Sequence, residues 1–188
     1  MRVGVLHPGE MGVTVLESLV ENDVSATWVK GGRSESTVQR ASSIPSVDTL
    51  EEMIHSVETI ISVCPPSAAL EVARNISDKG FKGIYVDANA ISPLESRKVA
   101  ELFGAAFVDG GIIGPPAKEA GTTRIYLSGM RSREVVDLFK VGPLEAIALS
   151  DSSDPEEITA ASALKMAYAG FSKGSSALLL AVNAFARK

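Results

Sequence analysis

The sequence is poor in the residues that crosslink small domains or bind metals. It contains one cysteine, Cys64, and two histidines, His7 and His55, among 188 residues. A single cysteine excludes an intrachain disulfide and fits a reducing compartment. Neither histidine has a partner at a ligand spacing, so we expect no metal site.

The chain also lacks long apolar runs and dense positive charge. Near the N-terminus the apolar run VGVL is too short to target or span a membrane. The net charge is -5 and no stretch is rich in Lys and Arg, which argues against a nucleic-acid partner. We therefore expect a soluble, cytoplasmic protein with no membrane or nucleic-acid partner.

The remaining composition is that of a globular protein. Apolar residues make up 45% and charged residues 22% of the chain. The length predicts one domain, or one domain with part of another.

Short β-rich runs alternate with helical patterns as far as residue 110. The predicted strands span 2–7, 25–30, 44–47, 58–64, 83–88 and 105–110. The predicted helices span 10–22, 34–42, 48–56, 66–78 and 93–103. The strands are nearly continuous apolar runs, as in a parallel sheet covered on both faces. This order predicts an α/β fold with a doubly wound, Rossmann-type, mostly parallel sheet.

The pattern after residue 110 predicts two more strands and a long C-terminal helix. The strands span 122–129 and 145–150, with a helix between them at 132–140. From Asp154, a suitable cap, the last helix is predicted to run almost to Lys188. Its end, SSALLLAVNAF, is apolar on more than one face and needs a covering surface.

The first strand leads into a glycine-containing turn that is typical of phosphate binding. Gly9 would allow close approach of a pyrophosphate, and Gly12 would allow the helix to pack on the strand. His7 occupies the usual first-glycine position, which costs little if its backbone is extended, and it can add a polar contact. A plain strand-to-helix link explains the hexamer equally well. The predicted cofactor residues here are His7, Pro8, Gly9, Glu10, Met11 and Gly12.

The end of the second strand favours NADP over NAD. NAD sites place an acid there for the ribose hydroxyls, whereas this chain has no acid before Glu35. A guanidinium and hydroxyls at a helix start fit a 2′-phosphate. The alternative is a solvated basic helix start, which the helix dipole disfavours. The predicted residues are Gly32, Arg33, Ser34, Thr37 and Arg40.

Six segments together resemble a known family, the 6-phosphogluconate dehydrogenase-like group. It includes β-hydroxyacid dehydrogenases and imine reductases, and the closest resemblance is to a less characterised branch with an additional C-terminal helical domain. The segments follow the family's order: GVLHPGEMG (4–12), GRSEST (32–37), SVCPP (62–66), DANAISP (87–93), VDGGIIGP (108–115) and ALKMAY (163–168).

The resemblance implies an NADP(H)-dependent oxidoreductase. Its hydride would pass between the nicotinamide and a small hydroxy acid, carbonyl or imine. Lys165 would exchange a proton with the substrate, which requires burial to lower its pKa; packing of its stem alone is the alternative. Further cofactor contacts are expected from Val63, Cys64, Pro65, Pro66 and Asn89. Substrate contacts are expected from Asn89, Gly111, Ile112 and Gly114.

The resemblance also implies a division of the chain. Residues 1–153 would form the NADP-binding domain. Residues 154–188 would begin an all-helical substrate and dimerisation domain, of which the rest is missing. We expect a homodimer through these C-terminal helices.

The substrate end departs from the family pattern. Tyr168 replaces the family's Asn after the lysine and is either a proton donor or a packing residue. Ile113 replaces a serine, and Pro115 replaces a glycine and lacks an N–H for a carboxylate. A non-catalytic NADPH-binding protein is therefore an alternative. A Rossmann-like methyltransferase is a third hypothesis, but Arg33 and Ser34 replace the acid that it would require.

Overall fold

A computed structural model describes residues 1–187, which form one eight-stranded sheet. The strand order is β3-β2-β1-β4-β5-β6-β7-β8, and only β6 and β7 pair antiparallel. The strands are β1 Arg2–Leu6, β2 Ser25–Val29, β3 Ser46–Val47, β4 Thr59–Ser62, β5 Ile84–Asp87, β6 Phe107–Ile113, β7 Thr123–Ser128 and β8 Leu144–Ser150. The predicted doubly wound, mostly parallel fold is confirmed.

The helices cover both faces of this sheet. They are α1 Glu10–Glu21, α2 Glu35–Arg40, α3 Leu50–Ser56, α4 Ala69–Asp78, α5 Pro93–Phe103, α6 Ser132–Val136 and α7 Ala160–Ala186, with 3₁₀ turns at Pro66–Ala68, Gly104–Ala106 and Glu157–Thr159. Adjacent residues of β4 enter different cores, Ile60 on one face and Ile61 on the other. Burial on both faces explains the continuous apolar strands.

Local caps start two of the helices, α5 at its predicted first residue and α3 two residues after the predicted one. Thr49 and Glu52 form a reciprocal capping box at α3, and Ser92 and Glu95 do so at α5. In each box, two otherwise unpaired backbone N–H groups gain partners, so the starts of α3 and α5 are encoded locally.

Strand β6 is longer than the sequence predicts. It continues to Ile113, because Gly111 pairs with Tyr126 and Ile113 with Arg124 of antiparallel β7. The segment that resembles the family's substrate loop is therefore largely strand. Long-range pairing with β7 is absent from the local pattern and overrides it.

Helix α7 begins at Ala160 rather than at Asp154. The Asp154 carboxylate does accept a hydrogen bond from the Glu156 N–H at 2.8 Å, but the chain then forms the 3₁₀ turn before the long helix. On α7 only Ala161 and Ser162 are buried. Within residues 1–187, no helix has the length and apolar character needed to cross a bilayer.

Candidate functional site

The turn between β1 and α1 leaves the start of the helix open. Gly9 is the N-cap of α1, and no side chain caps it. A Cβ added to Gly9 would meet nothing closer than the His7 carbonyl oxygen at 4.0 Å, whereas one added to Gly12 would lie 2.5 Å from the same oxygen. Gly12 therefore permits the close packing of helix on strand, and Gly9 leaves space in front of the helix. Uncapped N–H groups at a helix start favour an anion.

His7 does not have the extended backbone expected from the sequence. Its φ is +60°, in the left-handed region, at a cost of about 1 kcal/mol for a residue with a Cβ. The turn that follows is closed by the Gly9 N–H, which donates to the His7 carbonyl at 2.7 Å. Burial, followed by the Arg33 charge, lowers the pKa of His7 to about 4, so the imidazole is neutral at pH 7. Its Nδ1 is buried without a hydrogen-bond partner within residues 1–187.

A cleft of about 470 Å³ joins this turn to two other segments that the sequence singled out. Because β2 and β4 both flank β1, the chain after each of them reaches the same edge of the sheet as the turn. The lining residues are His7, Gly9, Glu10, Met11, Gly12, Gly32, Arg33, Ser34, Thr37, Val63, Cys64 and Pro65. All of them belong to the predicted cofactor set.

A cation and two hydroxyl groups form the α2 side of the cleft. Arg33 is half-buried, its Nε donates to the Val29 carbonyl at 3.3 Å, and burial lowers its pKa from the ordinary value. Arginine titrates so high that the guanidinium stays charged. The Ser34 Oγ caps α2 by accepting the Thr37 N–H at 3.3 Å and lies 3.0 Å from the Thr37 Oγ1. Glu10 is the one carboxylate among the described lining residues.

Four predicted cofactor residues lie outside the cleft lining, namely Pro8, Arg40, Pro66 and Asn89. Arg40 is carried to the end of α2 and lines a separate depression with Glu10 and Lys118. Pro8 is buried, and Pro66 starts an exposed 3₁₀ turn. Arg40 lies outside the cleft because it is the last residue of α2, whereas Arg33 precedes the start of this helix.

Asn89, predicted to contact cofactor or substrate, instead braces a neighbouring loop. It is 2% exposed, its Oδ1 accepts the Cys64 N–H at 2.6 Å, and its Nδ2 donates to the Ser62 Oγ at 3.1 Å. Its own N–H donates to Asp87 at 3.0 Å. Asn89 therefore holds the Cys64 side of the cleft in place. Burial raises the pKa of the half-buried Cys64 thiol.

Two buried aspartates are paired in neighbouring strands, Asp87 at the end of β5 and Asp109 within β6. Asp109 accepts hydrogen bonds from the Ser96 hydroxyl at 2.8 Å and from the Ser162 hydroxyl and N–H, both at 2.7 Å. It thus joins α5 and α7 to the sheet, although burial still raises its pKa. Asp87 has one unpartnered oxygen within the described chain, and burial raises its pKa to about 7. The hydrogen bonds of Asp109 make it an anchor between the sheet and these two helices.

The serine partners of Asp109 were missed from sequence. Ser96 and Ser162 are single polar residues in helices, a common arrangement that carries little information by itself. The available signal was the aspartate at the end of each of two successive apolar strands, since aligned parallel strands place these carboxylates next to each other. Such a pair needs buried hydrogen-bond donors.

Lys165 has the burial that a proton-exchanging lysine requires. Its Nζ donates to the Ile112 carbonyl, and burial, followed by the Lys173 charge, lowers its pKa. Tyr168, one turn further along α7, is 51% exposed. Neither residue lines the cleft.

The predicted substrate residues of the β6 segment have structural roles. An added Cβ on Gly111 would lie 2.7 Å from the Ala161 carbonyl oxygen, so this glycine allows α7 to cross β6. Ile112 is 4% exposed and belongs to the core. Gly114 has a φ of +133°, and its Cβ would lie 2.4 Å from the Thr122 carbonyl oxygen. Only the Ile112 carbonyl reaches a proposed catalytic group.

The described part of the chain holds no cluster of His, Cys, Asp or Glu that could bind a metal ion. By contrast, the open helix start, the space at Gly9 and the Arg33 guanidinium in the same cleft fit the phosphates of a dinucleotide. The family of the chain is established by its similarity to other proteins.

No family model matches the chain. It is 31% identical, over 192 aligned positions, to an uncharacterised 28.5 kDa protein from the 7S RNA 5′ region of Methanothermus fervidus. That alignment covers 100% of this chain and 72% of the relative. A reductive aminase from Aspergillus terreus, in complex with NADPH and ethyl levulinate, shares the fold with a TM-score of 0.76 at 18% identity, over 99% of this chain and 66% of that one.

A nearer solved structure is that of a conserved protein of unknown function, described as structurally similar to 3-hydroxyacid dehydrogenases. It matches with a TM-score of 0.79 and 31% identity, over 95% of this chain and 67% of that one. With the fold and the order of motifs in agreement, the chain belongs to the β-hydroxyacid dehydrogenase-like family of NAD(P)-binding proteins.

Proposed function

We propose that the protein is an NADP(H)-dependent oxidoreductase acting on a small hydroxy acid, carbonyl or imine. The observation that carries the proposal is the single cleft that joins the uncapped start of α1 to Arg33, Ser34 and Thr37. One end fits a pyrophosphate, and the other fits a ribose 2′-phosphate.

The α1 end would bind the pyrophosphate through backbone groups. Gly9 has open space where a side chain would stand, so phosphate oxygens can approach the N–H groups of the first turn. The helix dipole adds a favourable field for an anion at this end.

The α2 end would distinguish NADPH from NADH. The Arg33 guanidinium and the Ser34 and Thr37 hydroxyls are donors suited to a phosphate. A carboxylate suited to the NAD ribose is missing from the described segment between β2 and α2. The Aspergillus terreus reductive aminase, which has the same fold, was solved with NADPH.

Lys165 is the proposed proton-exchanging residue. The bound nicotinamide would supply or accept the hydride. The Ile112 carbonyl holds the Lys165 Nζ, and burial favours its neutral form more than solvent does, which suits a group that takes and returns a proton. Tyr168 is the second candidate donor, one turn away on the same helix.

Cofactor titrations test the proposal most directly. Nicotinamide fluorescence should report tighter binding of NADPH than of NADH. Arg33→Ala should weaken NADPH binding about tenfold or more and leave NADH binding nearly unchanged, since a charge-assisted contact is worth about 1.5 to 3 kcal/mol. Arg40→Ala, which removes an arginine outside the cleft, is the matched control. Equal affinities for the two cofactors would refute the 2′-phosphate site.

A non-catalytic NADPH-binding protein is the second candidate. It is favoured by the β6 segment, where Gly111, Ile112 and Gly114 serve packing rather than substrate contact. A panel of aldehydes, imines and hydroxy acids distinguishes the two. Turnover that Lys165→Ala abolishes supports the enzyme, with Tyr168→Phe testing the other donor. Absence of turnover on every compound, with NADPH binding intact, favours the binding protein.

Helix α7 supports a proposal of homodimerisation. Its apolar side chains are widely exposed, including Phe171 at 74%, Leu180 at 72% and Phe185 at 79%. Exposed apolar surface of this kind favours association. Light scattering should give a dimer, and a clean monomer would contradict it.

The single cysteine fits a cytoplasmic location, which we also propose.

A further inference from the structure

His7 holds a conformation that a glycine would adopt without strain. Its φ of +60° lies in the region where a Cβ is unfavourable, at the position where this loop type ordinarily has glycine. Strained residues persist where the surrounding structure and the function of the site require them. The presence of an imidazole at this strained position therefore indicates a function that the turn by itself does not require.

His7 and Arg33 line the same two spaces. Both line the main cleft, and both line a smaller depression of about 110 Å³, with Leu6, Val29 and Leu50 among its other lining residues. The Arg33 guanidinium is held through its own Nε, which donates to the Val29 carbonyl at 3.3 Å, so a change of direction concerns its two terminal nitrogens. In the absence of the imidazole, these terminal nitrogens would have room to turn from the cleft toward that depression.

The imidazole is also suited electrically to stand beside the guanidinium. Burial and the Arg33 charge lower the pKa of His7 to about 4, so no second positive charge repels Arg33 at pH 7. The buried, unpartnered Nδ1 is a hydrogen-bond acceptor in one neutral tautomer. A guanidinium carries five N–H donors, so a small adjustment of Arg33 can supply the partner.

We propose that His7 is a positioning residue that directs Arg33 toward the cofactor's 2′-phosphate and thereby helps to set the preference for NADPH over NADH. The inference rests on the proposed cofactor site. It gives the side chain at the first-glycine position a role in selectivity that a glycine cannot have.

The test compares NADPH and NADH affinities of the full chain and of His7→Gly. The glycine accepts the left-handed turn, so thermal unfolding should occur at or above the wild-type temperature. NADPH affinity should fall about fivefold, while NADH affinity should change less than about twofold, because only the 2′-phosphate contact depends on Arg33. His7→Asn should restore most of the preference, since asparagine tolerates a positive φ and its Oδ1 accepts a hydrogen bond.

A double-variant cycle separates positioning from a direct or purely structural role. If His7 acts through Arg33, then His7→Gly added to Arg33→Ala should cause no further loss of NADPH affinity. A further loss in that background would overturn the inference. So would an unchanged NADPH to NADH ratio in His7→Gly, and that result would leave the proposed function standing. Equal wild-type affinities for the two cofactors would overturn both.

Discussion

Two regions of the sheet are built differently. The cofactor side is the cleft at the start of α1, and the α7 side is the region where α7 packs on β6. The cofactor side consists of turns after β1, β2 and β4, with glycines and short polar segments that are recognisable locally. The α7 side depends on contacts between distant residues, such as Asp109 with Ser162 and Lys165 with the Ile112 carbonyl. Side chains of the cofactor side can be substituted with little effect on folding. On the α7 side, the same contacts support both the folded structure and the proposed catalysis.

The largest expected effect tests the α7 side. Asp109→Ala removes a buried acceptor and leaves the Ser96 hydroxyl and the Ser162 hydroxyl and N–H without partners. We expect the free energy of unfolding to fall by about 3 to 5 kcal/mol, measured by urea denaturation.

Asp109→Asn serves as the milder companion, because its amide oxygen keeps an acceptor for the serines. A small loss in Asp109→Ala would mean that α7 is anchored mainly by other contacts, such as the Ala161 N–H to the Ser128 Oγ at 3.1 Å. The contrast between the two sides would then be weaker than the structure indicates.

A smaller effect on stability, which depends on pH, is expected from the buried Asp87 carboxyl at the end of β5. Folded Asp87 has a pKa of about 7, whereas the unfolded carboxyl releases its proton near the ordinary aspartate pKa of 3.8. The stability that Asp87 contributes is therefore fully present below about pH 4 and lost as the pH rises to about 7. Asp87→Asn imitates the protonated form, so its stability advantage over wild type should grow across this window to on the order of 2 to 4 kcal/mol.

Urea denaturation at several pH values between 4 and 8 measures that advantage as a difference between the two proteins. The lowered pKa of His7 acts in the opposite direction between about pH 4 and 6.5, but it is common to both proteins and cancels. Asp78→Asn, at the exposed end of α4, is the control. A difference that stays flat with pH would show that Asp87 is ionised in the folded protein.

The smallest expected change in stability is that of Ser34→Asp, a substitution on the cofactor side. Ser34→Asp keeps an oxygen that can cap α2, so the free energy of unfolding should change by less than about 0.5 kcal/mol. It also places a carboxylate where the 2′-phosphate is proposed to bind. NADPH affinity should fall strongly and NADH affinity should be kept or rise, as fluorescence titration would measure.

Ser34→Ala separates the two roles of this residue. Loss of the cap should cost about 1 kcal/mol of stability, with only a modest loss of NADPH affinity. If Ser34→Asp binds NADPH as tightly as wild type, the α2 side of the cleft is not the 2′-phosphate site.

Much of the cofactor cleft could be predicted because its signals are local. Gly9, Gly12, Arg33 and Ser34 lie in short segments whose chemistry is legible, and parallel strands bring the ends of such segments together. The backbone of His7 was expected to be extended and is left-handed, a conformation that residues with a Cβ rarely adopt and that the local sequence therefore does not indicate. Arg40 does not line the cleft with the other predicted residues, since it lies at the far end of α2.

The substrate side was less predictable because its outcome depends on pairing at a distance. Gly111 and Ile112 fit a loop by resemblance, yet β7 draws them into a strand and α7 crosses over them. Asn89 has the right chemistry for a ligand contact, but its buried side chain bonds Cys64 through Oδ1 and Ser62 through Nδ2. Which polar groups remain free for a ligand depends on which neighbours fold against them.

By itself, the sequence determined the alternation of strands and helices, the open turn before α1 and the cation at the end of β2. These follow from periodicity, glycine placement and charge within a few residues. Only the tertiary structure decided that Asp109 anchors α7, that Lys165 is half-buried against the Ile112 carbonyl, and that His7 stands beside Arg33. Burial and hydrogen bonding between residues far apart in the chain set these properties, and no local pattern carries that information.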